Sequence, residues 1–315
     1  MLKKEKKMGC AGYFLVGATA SGKTAVAHYL AQKMGTSVVS VDSMNLYRGM
    51  NIGTAKPSKK EQEVVRYEGI DLVAPTGKFS VAKYLDAVRP AFLSESIPIV
   101  AGGTGLYVKC LTEGFSLVPP ENTPLRSELE SCCLSELQKK VKELSPQQYE
   151  ILTVDDQQNP RRLIRMIEKA KGGTDFSKQR TWNQKSKSVL VGLHVERSVL
   201  HQRIAKRVEQ MYENGLLEEA RELLKIPLSS TALQAIGYAE AFGVLNNELT
   251  LDEAKERTII RTRQLAKRQI TWFKNQLKVE WIDTADFSTQ EELANAVLQA
   301  WEKAGPSTVV FDAGR

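Results

Sequence analysis

The chain has 315 residues, 42% of them apolar, and carries 44 basic against 37 acidic residues for a net charge of +7. That length holds one large domain or two modest ones around a sizeable core, and the positive balance permits an anionic partner without requiring one. No apolar run approaches the roughly 20 residues of a membrane span, so no membrane association is expected. The basic run Lys3-Lys4-Glu5-Lys6-Lys7 precedes an apolar stretch that is too short and glycine-broken for a signal peptide. The four cysteines, Cys10, Cys110, Cys132 and Cys133, form no CxxC pair and have no histidine at metal-binding spacing, which points to reduced thiols and a cytoplasmic protein.

Tyr13-Phe14-Leu15-Val16 reads as a buried strand, and Ala25 to Met34 as a helix ending at Gly35. Between them stands Gly17-Ala18-Thr19-Ala20-Ser21-Gly22-Lys23-Thr24, which fits GxxxxGK[ST] in its proper strand–turn–helix setting. This is a phosphate-binding P-loop. Its glycines let the backbone approach a polyphosphate, its amides and the helix start attract an anion, Lys23 reaches a terminal phosphate, and Thr24 is the candidate ligand for Mg²⁺. The motif belongs to nucleotide-binding and ATP-binding proteins at large and does not by itself say nucleotide or kinase.

Residues 37–41 read as a second buried parallel strand, followed at once by Asp42-Ser43. Ligands of open α/β sheets bind beyond the carboxyl ends of the strands, so Asp42 belongs at the same mouth as the P-loop. Met44 to Lys60 is a long irregular loop beside that mouth, a length that usually serves function. A helix follows from Val81 to Phe92, capped by Ser80, and then a third buried strand at Ile97–Ala101. It ends in Gly102-Gly103-Thr104-Gly105, where the glycines serve either close ligand approach or a tight turn; Thr104 offers a hydroxyl.

The α/β rhythm stops at Pro119-Pro120. Leu125 to about Lys171 is helical and charged. Asn159-Pro160 is a strong helix start, followed by Arg161, Arg162 and Arg165 at the end the helix dipole disfavours for cations. Gly172 to Ser188 is polar and loop-like, with Trp182 expected to be exposed, and Val189 to Leu193 resumes as a strand. The reading is an α/β fold: a P-loop core with a parallel sheet flanked by helices, residues 1–118 and 189–315, interrupted by an all-helical insertion domain, residues 119–188. Leu200 to Asn214 is a helix with the apolar stripe Leu200, Ile204, Val208 and Met211, and with Arg203 and Arg207 on a neighbouring face. Leu251 to Asn275 is the last long helix. Ile259, Ala266, Ile270 and Phe273 fall on one side of it, and Arg257, Arg261, Gln264 and Arg268 on the other, a row fit for a phosphate backbone. Residues 305–315 read as a loose tail.

These stretches together resemble the bacterial tRNA dimethylallyltransferases, the tRNA isopentenyltransferases of the IPP transferase family. The resemblance rests on Gly17–Thr24, Val41-Asp42-Ser43, the run Gly49-Met50-Asn51-Ile52-Gly53-Thr54-Ala55-Lys56-Pro57, Gly102-Gly103-Thr104, Gln234–Tyr238, and Arg263 through Phe273. It covers nearly the whole chain, and its later motifs are far more specific than the P-loop. Ala18 stands where proline is usual, Asn45 where glutamine is frequent, and Arg161 where a glutamine precedes Arg162.

The resemblance implies a monomeric prenyltransferase with Mg²⁺. Dimethylallyl diphosphate is the implied donor, held by residues 17–24 as a diphosphate in place of ATP. The implied acceptor is N6 of the adenosine 3′ of the anticodon in tRNAs reading codons that begin with U. Asp42, Lys23, Thr24, Thr104 and Arg207 are the implied catalytic set. Asp42, Ser43, Met44, Asn45, Thr104, Arg126, Arg161, Arg162, Arg165, Arg257, Arg261, Gln264 and Arg268 are the implied tRNA contacts. The chemistry suits these residues. Diphosphate leaves into cationic surroundings, a carboxylate takes the proton of a weakly nucleophilic amine, and the base must be flipped out to reach the site. A small-molecule P-loop kinase and an adenylate isopentenyltransferase acting on AMP stand as alternatives, as does a tRNA-binding protein with a non-catalytic P-loop.

Overall fold

The computed structural model describes residues 10–114, 123–173 and 189–311. They divide into two compact units, residues 10–114 with 189–311, and residues 123–173. The expected boundary at 118–119, the proline pair at its edge, and Trp182 lie outside the described residues. So does the basic run at the start of the chain.

The first unit opens with β1 (Ala11–Gly17), α1 (Lys23–Met34), β2 (Val38–Ser40), α2 (Lys59–Val64), β3 (Tyr67–Glu68) and α3 (Val81–Val88). Ser80 caps α3 as expected, but the helix tightens at Arg89–Leu93 into a 3₁₀ turn, since Pro90 has no amide to continue the α ladder. β4 (Ile99–Gly102) and α4 (Gly105–Glu113) follow. The second unit consists of α5 (Thr123–Glu130), α6 (Leu134–Leu144), α7 (Pro146–Glu150), α8 (Val154–Gln157) and α9 (Pro160–Lys171). Its core is Leu129, Leu137, Val141, Leu163 and Ile167, presented at helical spacing by α5, α6 and α9. Asn159 caps α9 by accepting from the Arg162 amide, and Pro160 starts it.

The chain returns to the first unit with β5 (Leu190–His194), α10 (Arg197–Glu213), α11 (Leu216–Leu223), α12 (Ser230–Leu233), α13 (Tyr238–Leu245), α14 (Leu251–Gln276), β6 (Val279–Asp283), α15 (Gln290–Ala304) and β7 (Ser307–Thr308). The sheet order is β3-β2-β4-β1-β5-β6, with every neighbouring pair parallel. β7 adds antiparallel to the start of β1. β2 and β4 are buried along their whole length, as parallel strands covered on both faces must be. Val16 lies opposite Gly102 and Gly17 opposite Leu193, so the carboxyl ends of β1, β4 and β5 form one edge, and β2 joins it through Ser40 opposite Ala101.

The expectation of a loose tail is corrected. β7 pairs Thr308 with Ala11 and Ser307 with Gly12, and the amides of Val309 and Val310 donate to Cys10 and Leu111. Only residues 312–315 of that stretch lie outside the described residues. The cause is α15. Its Trp301 is buried against the sheet, donates Nε1 to the Phe14 carbonyl at 3.1 Å, and carries the following residues back to β1. A fully buried side chain of this size contributes about 1.5–3 kcal/mol, enough to hold a short terminal strand in place.

Candidate active site

The P-loop has the geometry its glycines allow. Gly22 is left-handed at φ 93°, where a side chain is disfavoured, and it starts α1. A Cβ on Gly17 would stand 3.1 Å from the Leu193 carbonyl, so glycine lets the loop leave the sheet in contact with β5. Ala20 holds φ 63°, a conformation rare for a residue with a side chain. Lys23 is buried and donates Nζ to the Ala18 carbonyl at 2.8 Å, which points its ammonium over the loop. Burial lowers its pKa to about 8, with the negative charge of Asp42 opposing and the positive charge of Arg207 reinforcing the shift. Thr24 is exposed on the first turn of α1.

Lys23, Asp42 and Arg207 thus lie near enough at one mouth for their charges to act on one another. Burial also lowers the Arg207 pKa while Asp42 raises it, and its Nη2 lies 3.5 Å from the Thr54 carbonyl. Arg203, one turn earlier on α10, is exposed. Asp42 is half-buried and accepts the Met44 amide at 2.9 Å through Oδ1. Thr104 Oγ1 accepts the Ser43 amide at 3.0 Å, while the Thr104 amide donates to Val41. So the turns after β2 and β4 are stitched to each other. Gly102 and Gly103 are needed for close packing within the protein: a Cβ on Gly102 would meet the Val41 carbonyl at 2.4 Å, and one on Gly103 would meet Gln269 at 2.2 Å.

Gln269 on α14 went unassigned in the sequence reading although it stands inside a quoted motif. Its Oε1 accepts the Thr19 amide at 2.8 Å and its Nε2 donates to the Gly103 carbonyl at 3.1 Å. It therefore ties the P-loop to the turn after β4. The long loop from Met44 is pinned as well. Lys56 is buried and donates to the Tyr47 carbonyl, Asn51 and Asp71. Glu219 accepts the Asn51 and Ile52 amides and the Tyr238 hydroxyl, and that hydroxyl accepts the Gly53 amide. Tyr238 closes the motif Gln234–Tyr238 and reaches the loop because Gly53 has no Cβ to meet its ring, while nothing in the sequence marks Glu219.

The implied RNA-contacting residues fall into different settings. Asn45 is buried and donates Nδ2 to Ser40 at 3.3 Å, while Ser43 and Met44 are half-buried. On α14, Arg257, Gln264 and Arg268 are exposed. Arg261 instead pairs with the buried Glu240 of α13 and donates to the Gln234 carbonyl at 2.9 Å. Within the second unit, Arg126 and Arg165 converge on the buried Glu168 at 3.1 and 2.9 Å. Arg162 pairs with Asp156 and is largely exposed, as is Arg161.

A model of the IPP transferase family matches residues 45–276, and one described as isopentenyl transferase matches residues 10–72. The chain belongs to the IPP transferase family. The tRNA dimethylallyltransferase of Lactococcus lactis is 37% identical over 294 residues, covering 90% of this chain and 96% of that protein. That of Anoxybacillus flavithermus is 35% identical, covering 90% and 94%. Among solved structures, the tRNA isopentenylpyrophosphate transferase of Bacillus halodurans matches with a TM-score of 0.67 at 34% identity, covering 94% of this chain and 98% of that one. A eukaryotic dimethylallyltransferase acting on tRNA shares the fold with a TM-score of 0.71 at 22% identity. In this IPP transferase Gly103 and Gly53 thus serve as packing contacts for Gln269 of α14 and Tyr238 of α13.

Proposed function

We propose that this chain is a tRNA dimethylallyltransferase. It transfers the dimethylallyl group of dimethylallyl diphosphate to N6 of the adenosine 3′ of the anticodon, in tRNAs reading codons that begin with U. The observation that carries the reading is the meeting of Lys23, Arg207 and Asp42 at the mouth of the P-loop, in a chain that family membership allies with prenyl transfer to tRNA.

The bond between the prenyl carbon and the diphosphate oxygen breaks, and its electron pair leaves with diphosphate. The amides of residues 17–24, Lys23 and Arg207 stabilise the charge that builds there. The adenine nitrogen forms the new bond to carbon and passes a proton to the Asp42 carboxylate. No cluster of three or more histidine, cysteine or carboxylate ligands occurs among the described residues. The exposed Thr24 hydroxyl at the anion loop is a hard oxygen donor of the kind Mg²⁺ takes, one or two at a time, beside its waters and the substrate phosphates. The Thr24 hydroxyl would hold the ion, which when bound supplies charge neutralisation to the diphosphate. Exposed Arg257, Gln264 and Arg268 are the RNA-facing stripe of the first unit, and Arg161 and Arg162 that of the second. The enzyme acts as a cytoplasmic monomer, and no helix among the described residues is long and apolar enough to cross a membrane.

Incubation of the full chain with labelled dimethylallyl diphosphate and bulk tRNA tests the proposal, with ATP and AMP as controls. Label entering tRNA supports it. Label entering AMP instead indicates an adenylate isopentenyltransferase, and ATP turnover without prenyl transfer indicates a kinase.

A further inference from the structure

The run Gly49–Pro57 is one of the more specific motifs of the sequence, yet it lends no side chain to the transfer proposed above. What it offers is backbone. The amides of Asn51 and Ile52 both donate to Oε1 of the half-buried Glu219 on α11, at 3.1 and 2.9 Å. The next amide, that of Gly53, donates at 3.2 Å to the hydroxyl of the buried Tyr238 on α13. That hydroxyl in turn donates to the same Glu219 oxygen. Three successive amides are thus gathered on one carboxylate and one hydroxyl. Successive amides turned one way form a donor set that favours an anion, and hydrogen bonds to a charged acceptor are the stronger ones.

The turn is closed on itself as well. The Ala55 and Lys56 amides donate to Ile52 and Asn51, both at 3.0 Å, and the Thr54 hydroxyl donates to the Met50 carbonyl at 2.7 Å. Met50 is fully buried in the apolar cluster that holds Leu216 and Tyr238. At the far side of this turn the Thr54 carbonyl meets Arg207, whose Nη2 lies 3.5 Å away. Among the described residues that carbonyl is the one hydrogen-bond partner of the Arg207 guanidinium, and no carboxylate pairs with it. A long side chain held by one contact rests where that contact stands. Displacing the turn therefore displaces the guanidinium.

We infer, on the reading that Arg207 serves the donor diphosphate, that Glu219 is a positioning residue for that diphosphate. It holds residues 51–54 so that the Thr54 carbonyl presents Arg207 to the anion loop, and Tyr238 completes the clamp. The sign of the effect separates a clamp from plain electrostatics. A carboxylate near an anion site repels the anion, so by charge alone its removal tightens diphosphate binding. A clamp gives the reverse for Glu219→Ala. Glu219→Gln keeps an oxygen for the amides and sheds the charge, so it retains the clamp.

Calorimetric titration of the full chain with inorganic diphosphate and Mg²⁺, beside steady-state prenyl transfer, tests it. Glu219→Ala is expected to weaken diphosphate binding about 10-fold and to raise the Michaelis constant for dimethylallyl diphosphate by a similar factor. Glu219→Gln should stay within about 2-fold of wild type in both. In an Arg207→Ala background, where the loop amides and Lys23 still bind the anion, Glu219→Ala should change the affinity less than about 2-fold, because the group it places is gone. Tyr238→Phe keeps the buried ring and loses both hydroxyl hydrogen bonds. It should weaken diphosphate binding several-fold with the same dependence on Arg207, and it carries the test should Glu219→Ala fail to fold. Equal factors with and without Arg207, or tighter binding by Glu219→Ala, overturn the proposal. A wild-type chain that binds diphosphate with this coupling but transfers no prenyl group removes the prenyl-transfer reading and leaves the clamp standing.

Discussion

Gln269 accepts the Thr19 amide at 2.8 Å across 250 residues of sequence, so one side chain of α14 fixes the anion loop at the far end of the chain. The Gln269 Nε2 donates to the Gly103 carbonyl. A net hydrogen bond contributes about 0.5–1.5 kcal/mol, so Gln269→Ala should lower stability by about 1–3 kcal/mol and raise the Michaelis constant for the prenyl diphosphate. Gln269→Glu keeps the acceptor for Thr19 and loses the donor to Gly103 while adding a negative charge beside the anion loop, so it should rescue stability in part and not the affinity for the prenyl diphosphate. Steady-state kinetics of both variants, with melting curves, check this. A melting temperature of Gln269→Glu no higher than that of Gln269→Ala would show that the Thr19 contact is not what holds the loop.

Gly103→Ala offers an independent view of the same contact. The added Cβ would lie 2.2 Å from Gln269 Nε2, the end of a flexible side chain, which must swing aside. Gly103→Ala should therefore resemble Gln269→Ala and add little in the double variant, a coupling that a double-mutant cycle reads directly. Gly105→Ala differs, because the Cβ would meet the ring of Trp272 at 2.1 Å. A ring packed on the helix start cannot rotate away as an amide can, and the loss of stability should be larger, about 2–4 kcal/mol by analogy with overpacked cores.

How far the site was legible follows from which interactions are local. The P-loop and Asp42 were readable because strand, glycine and helix signals lie within a few residues of one another. Arg207 needed the helical stripe of α10 and the family resemblance. Gln269 and Glu219 act on backbone groups 166 to 250 residues away, and no local pattern marks a glutamine as a clamp. The arginine row on α14 shows the limit of periodicity. Spacing placed Arg261 beside Arg257 and Arg268, yet Glu240, held at the start of α13, claims it for an internal pair. The tail was misread for a similar reason, since β7 is only two residues long and depends on Trp301 to bring it to β1.

Lys23 sets a pH dependence. Its folded pKa of about 8 lies below the ordinary 10.5, so between those values the unfolded chain binds more protons than the folded one. Burying the ammonium therefore costs stability below pH 8, and that cost relaxes as pH rises from 8 toward 10.5. Function runs the other way, because the diphosphate needs the charge. The profile of kcat/KM for the prenyl diphosphate, which reports the free enzyme, should fall above about pH 8. In kcat the fall should move to higher pH, since bound diphosphate holds the proton on Lys23. A profile flat to pH 10 in kcat/KM would mean that Asp42 outweighs burial.

Asp42→Asn isolates the proton transfer. Asparagine keeps an oxygen to accept the Met44 amide, so the turn after β2 should persist and tRNA binding with it. A general base typically contributes 10²–10⁴-fold, and single-turnover transfer should fall by that range. A rate within a few-fold of wild type removes Asp42 from the mechanism.

Arg261 and Arg268 separate scaffold from RNA contact on one helix. Arg268 is exposed, whereas Arg261 pairs with Glu240, which is only 4% exposed and also accepts the Gly237 amide. Removing one partner strands a buried carboxylate, a cost of about 3–5 kcal/mol for full burial and less here because Arg261 is partly in water. Arg261→Ala should then lower the melting temperature by several degrees and leave the salt dependence of tRNA affinity unchanged. Arg268→Ala should melt as wild type does. Its binding slope against log salt should flatten by roughly 0.7–0.9, the share of a single phosphate contact, with cognate and non-cognate tRNAs affected alike. Measuring affinity from low to moderate salt together with melting curves decides between the two assignments. If Arg268→Ala destabilises the fold at an unaltered slope, α14 is scaffold along its whole length, and the RNA must be gripped by Arg161 and Arg162 of the helical unit.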